Sequence, residues 1–102
     1  MKKVVFILLL ALLSSVATVA SAADVFKGQK LYKLHCAGCH GITGEGVMPG
    51  MPDFSQGVGL FANDNAIAAS IRNGVGTMPG FAGLFAKEDD VYDLIAYIRS
   101  FL

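Results

Sequence analysis

The chain has 102 residues, with eight Lys+Arg against eight Asp+Glu, enough for one small domain and without the basic surplus that a charge-driven nucleic-acid grip needs. Its high apolar fraction is concentrated at the N-terminus, so it does not describe the domain that follows.

Met1-Lys2-Lys3 is followed by Val4 to Leu13 without a polar residue, then by small residues up to Ala20-Ser21-Ala22-Ala23. A positive start, a short apolar stretch and an Ala-x-Ala-like end read as a secretory signal peptide over residues 1–22, cleaved after Ala22 or Ala23. A spanning helix needs roughly 20 apolar residues. Val16 to Ala20 could extend the stretch, which keeps a retained anchor as the alternative. No cysteine lies in the leader to carry a lipid. The expected product is exported, periplasmic where the cell has a periplasm, with no stable membrane insertion once the leader is removed.

The remaining domain, residues 23–102, loses Lys2 and Lys3 and so carries six basic against eight acidic residues, a net charge of −2. At this size a side-chain core alone is close to the limit of what holds a fold, so a staple is expected.

Asp24 is placed to cap a first helix running to about Leu34, with Val25, Phe26, Leu31 and Tyr32 facing inward and Lys27, Lys30 and Lys33 forming a solvated face. From Gly41 to about Phe61, repeated glycines and the pairs Met48-Pro49 and Met51-Pro52 break any period. This reads as a long loop. A loop of that length in a compact domain is expected to wrap something.

Asn63, Asp64 and Asn65 offer caps for a short helix from Ala66 to about Arg72, which Asn73-Gly74 stops. A second glycine-rich loop, Val75-Gly76-Thr77-Met78-Pro79-Gly80-Phe81, leads to a last helix beginning near Glu88. There Val91, Leu94, Ile95 and Ile98 recur at helical spacing. Acidic residues crowd the first turns and Arg99 sits in the last, as the helix dipole favours. No strand pattern or repeat emerges, so the expected class is all-α: about three helices joined by long loops.

The two cysteines and the residue after them form Cys36-Ala37-Gly38-Cys39-His40, a CxxCH attachment site for haem c. Two intervening residues let both sulfurs reach the vinyl groups on one haem edge as thioethers, and the adjacent imidazole then lies beneath the iron. Covalent attachment is also the staple the short domain needs. A thioredoxin-like pair would follow a strand, and none is expected here. For zinc, His35 and His40 are too near the cysteines in sequence to complete a tetrahedron with them. A disulfide closing so short a loop would add little stability.

With these residues in view, the chain resembles the class I c-type cytochromes, specifically the small bacterial single-haem members, over nearly the whole domain. Beyond CAGCH, Gly28 and Tyr32 on the first helix match the family's Gly and aromatic pair, and Leu94 and Tyr97 its partners on the last. The resemblance implies the small cytochrome c fold wrapped around one covalently bound haem, and a packing role for these four residues. It also implies one axial ligand from His40 and a second from Met78, about 38 residues further on, in a glycine-rich loop where Pro79 favours an extended backbone. Met48 and Met51 are the alternative thioether ligands, and are otherwise expected around the haem edge together with Phe81. His35 is too close to His40 to reach the opposite haem face. Pro49 or Pro52 is expected to offer a carbonyl to His40 Nδ1, and Arg72 or Ser55 to pair with a propionate.

The expected function is that of a soluble exported single-electron carrier, not an enzyme. Such a carrier would be a monomer meeting redox protein partners through small interfaces, and would not bind nucleic acid. The alternatives are a dedicated electron-transfer subunit of a dehydrogenase or reductase complex, or a haem enzyme or gas-binding protein with an open sixth position.

Overall fold

The structure, a computed structural model, describes residues 2–5 and 22–102; most of the leader, on which the export reading rests, lies outside the described residues. Four α-helices order the domain: α1 (Val25–His35), α2 (Ala37–His40), α3 (Asp64–Asn73) and α4 (Asp90–Arg99). Two 3-10 turns, Phe54–Gln56 and Ala82–Leu84, sit in the long loops. No strand occurs among the described residues, only one isolated bridge between Val75 and Met78. The architecture is the expected all-α fold.

Helix α1 starts where its sequence directs: Asp24 accepts a hydrogen bond from the Lys27 N–H at 3.1 Å, satisfying a first-turn donor. Its inward face is narrower than periodicity suggested. Gly28 and Tyr32 are buried and Leu31 packs against the core, but Val25 is 41% and Phe26 78% exposed. The correction follows from helix geometry: at 100° per residue, Phe26 stands nearly opposite Gly28, and only one side of α1 meets a partner. Lys27 is the second correction, because it leaves the solvated face to pair with Asp90 at 2.5 Å. Lys30 and Lys33 remain exposed.

That partner is α4, and glycine decides how near it comes. A Cβ on residue 28 would lie 1.9 Å from the Asp93 carbonyl oxygen and 2.5 Å from its carbon, so the helices touch backbone to backbone. Beside this crossing, Tyr32 packs against Tyr97 with ring centroids 5.4 Å apart and against Phe101 at 5.1 Å. The four residues singled out by resemblance therefore do meet, and Phe101 adds a third ring. The core is completed by Leu60, Ala68, Ile71, Val91, Leu94, Ile95 and Ile98.

Helix α3 begins two residues earlier than expected, because Asn63, not a later residue, is the cap accepting from the Ala66 N–H. Helix α4 begins two residues later than Glu88. Asp89 at its cap makes no side-chain bond. Instead Asp90 turns back, accepting from the Lys87 N–H at 3.1 Å and from Lys27 Nζ. Arg99, in the last turn of α4, donates to Asp64, to the Leu60 carbonyl and to the Ala62 carbonyl. It thereby ties the end of the long loop and the start of α3 to α4.

Candidate functional site

The CxxCH segment forms a helical turn of its own, which no hydrophobic period announces. After α1 ends, the backbone kinks at Cys36, and Ala37–His40 make the single turn α2, stopped at Gly41 with φ +86°. The turn is pinned from two sides. Gly46 N–H donates to the His40 carbonyl at 2.7 Å and Val47 N–H to the Cys39 carbonyl at 3.1 Å. Tyr32 Oη donates to the Gly41 carbonyl at 2.5 Å. The aromatic ring at the helix crossing thus also fixes the chain directly after His40.

Both cysteines are free thiols, Cys39 exposed and Cys36 partly buried. Burial, with the nearby Cys39 sulfur adding to it, pushes the Cys36 thiol up to about 11. His40 is buried and stacks on Phe54, ring centroids 4.9 Å apart at 21°. Burial holds its pKa below the ordinary histidine range, which favours the neutral imidazole that can ligate iron. Its Nδ1 is buried without a hydrogen-bond partner. Neither the Pro49 nor the Pro52 carbonyl therefore accepts a hydrogen bond from it, contrary to the expectation.

Beside Cys36 opens an apolar cleft, lined also by Leu31, His35, Ile71, Phe81, Leu84, Phe85 and Leu94. His40 and Met78 do not line it. Met78 is partly buried against the core in a tight turn after α3, in which Val75 and Met78 exchange backbone hydrogen bonds at 2.9 and 3.1 Å. Two glycines make that turn possible. A Cβ on Gly74, whose φ is +82°, would lie 2.5 Å from the Met78 carbonyl oxygen, and one on Gly80 2.6 Å from the Arg72 carbonyl oxygen. Phe81 N–H donates to the Ile71 carbonyl at 2.9 Å, so the Met78 loop is laid back across α3 and puts Phe81 into the cleft.

Met51 is half-buried and Met48 is 53% exposed. Arg72 donates to the Glu88 carbonyl at 3.1 Å and lies over the Tyr92 ring. Ser55 donates to Asp53. Both candidate propionate partners thus have protein partners of their own. Sequence reasoning missed Phe54, whose stacking on His40 carries no signal in periodicity, since it sits in a 3-10 turn within an irregular loop.

The donor set fits a covalently held haem: two unbridged thiols three residues apart, a buried imidazole directly after the second of them, and an apolar cleft against the first thiol. Fold and site together define a small c-type cytochrome domain, whose cofactor is haem c and whose chemistry is electron transfer. Within that class, residues 23–98 match the family described as cytochrome C oxidase, cbb3-type, subunit III, and the chain belongs to it.

Among curated proteins it is similar to the cytochrome bc1 complex cytochrome c subunit of Corynebacterium diphtheriae, with 35% identity over 74% of this chain and 27% of that protein. The proteins of the same name from Mycobacterium leprae (31% identity; 72% of this chain, 25% of that one) and Corynebacterium efficiens (32%; 74% and 25%) are also similar. The chain spans about a quarter of the length of these relatives. No solved structure matches it significantly. No helix among the described residues is long and apolar enough to cross a membrane.

Proposed function

We propose that this protein is an exported one-electron relay that works as an electron-transfer subunit of a larger respiratory assembly, not as a free carrier or an enzyme. The support for assembly membership is the naming of its relatives as subunits of the cytochrome bc1 complex. It weighs against the monomer expected of a soluble carrier.

In this reading Cys36 and Cys39 would hold the haem through thioethers, and His40 and Met78 would ligate its iron. Bound there, the haem would supply one-electron chemistry at iron. The protein's part is to keep the site still. Tyr32, the Gly46 and Val47 amides and Phe54 fix the His40 segment, while Gly74 and Gly80 let the Met78 loop fold tightly. Cys39 and Met48 are exposed on the surface next to the attachment turn, and partner docking there would bring an electron donor or acceptor close to the haem edge.

Two measurements test the reading. Purified from its native host under mild detergent, the tagged holoprotein should bring down membrane complex subunits and the bc1- or oxidase-type haems they carry; elution alone at its own mass would return it to the free-carrier class. The ferric spectrum should show the weak long-wavelength band of sulfur ligation and lose it in Met78→Ala. Ready CO binding by the ferrous wild type would mean an open iron, contrary to the proposal.

A further inference from the structure

Once the backbone of a ligating histidine is fixed, its ring can still rotate about the bond that carries it. In metal sites a hydrogen bond from the second ring nitrogen commonly stops that rotation. At His40 it does not, because Nδ1 is buried with no hydrogen-bond partner among the described residues. A second ring stands against the imidazole instead: Phe54 lies nearly parallel to it, with centroids 4.9 Å apart and planes at 21°.

Phe54 is itself held in place. Its N–H donates to the Gly44 carbonyl at 2.8 Å, and the Gly57 N–H donates to its own carbonyl at 3.0 Å. The neighbouring Ser55 N–H is taken by the Asp53 carboxylate at 3.0 Å, which fixes the start of the 3-10 turn. Side-chain space is equally tight: a Cβ on Gly44 would lie 3.0 Å from the Phe54 Cβ, and one on Gly59 3.7 Å from the edge of its ring. The imidazole therefore rests on a wall that is anchored independently of it.

We propose that Phe54 is the positioning residue of the iron ligand: ring stacking, in place of a hydrogen bond to Nδ1, sets the plane in which the His40 imidazole stands. This rests on the reading that His40 ligates the haem iron. Parallel aromatic faces have a preferred mutual geometry, so the stack resists rotation of the imidazole. An aliphatic side chain of similar size fills the space but offers no flat face, and leaves the ring free to rock.

The plane of an axial imidazole governs the rhombic splitting of low-spin ferric haem, so electron paramagnetic resonance of the holoprotein reads it directly. The wild type should give one narrow set of g values. Phe54→Leu should broaden or split that set, and Phe54→Tyr, which keeps the ring, should restore it. Phe101→Leu controls for loosening of the loop alone, because Phe101 packs on Tyr32 and Tyr97 and against the same Gly44. It should lower the melting temperature and leave the g values unchanged. Wild-type g values in Phe54→Leu, or an equal change in Phe101→Leu, overturn the proposal. If Phe54→Leu fails to mature, proton NMR of the ferrous wild type decides: a nuclear Overhauser contact between the His40 and Phe54 rings is expected, and its absence overturns the proposal too. A wild type without covalent haem would instead sink the underlying haem reading, and this inference with it.

Discussion

Tyr32 links packing to the site through one atom. Its ring closes the α1–α4 crossing, and burial of the phenol raises its pKa and keeps the hydroxyl protonated, so it serves as a donor to the Gly41 carbonyl at all ordinary pH values. The Gly44 N–H also reaches that carbonyl at 3.3 Å, so Tyr32→Phe does not orphan it. The expected loss is about 1 kcal/mol, the net worth of one hydrogen bond, read from urea unfolding of the holoprotein. The two thiols should separate in the haem-free protein. Cys39 is exposed, whereas Cys36 is half-covered and raised to about 11, and thiolate is the reactive form. Alkylation at neutral pH followed by mass spectrometry of fragments should therefore label Cys39 well before Cys36. Equal rates would mean that the cleft around Cys36 is not formed before haem is attached.

At the scale of elements, the crossing of α1 and α4 carries two predictions. Gly28→Ala gains about 1 kcal/mol of helix propensity. It also forces a methyl group to within 1.9 Å of a backbone oxygen that no rotamer change can move, an overpacking cost of about 3 kcal/mol. The steric term wins, for a net loss of about 2 kcal/mol and a fall in melting temperature of roughly 10 °C in a domain of this size.

The second prediction concerns Lys27 and Asp90. Their hydrogen bond lowers the Asp90 pKa below 3.8 and raises that of Lys27 above 10.5. A lowered acid stabilises the fold above its unfolded pKa and loses that contribution as pH falls through the folded one; a raised base does the reverse on the alkaline side. The contribution of this pair should thus be level through neutrality, then drop below about pH 4 and above about pH 10.5. Asp90→Asn should make the acid limb shallower without abolishing it, since Glu45, lowered by its bond to Thr43, titrates in the same window.

The domain as a whole shows which information periodicity can carry. The three longer helices, the Asp24 cap, the attachment motif and the four crossing residues were legible because each is a local pattern or a fixed spacing. Lys27, Phe54, Phe101 and Arg99 were not. Each acts through a partner distant in sequence, and a lysine on an exposed-looking face or a phenylalanine in an irregular loop carries no local sign of that partner. The exposed Phe26 misled for the same reason: periodicity marks an apolar residue but not whether an element exists to cover it.

The described core is small, built on eight buried apolar residues around α1, α3 and α4, while the stretch from Gly41 to Phe61 is held mostly by its own turns and by contact with His40 and Phe101. If haem is the staple that such a domain needs, then its loss should not be felt evenly. Cys36→Ser/Cys39→Ser protein, secreted without covalent haem, should keep much of its helical far-ultraviolet circular dichroism but unfold with a broad, shallow transition. Hydrogen exchange should be fast across residues 41–61 and 74–87 and slower in α1 and α4, where backbone meets backbone at Gly28. A sharp transition with uniform protection would show that the apolar contacts alone suffice. The haem would then be a passenger in a preformed fold.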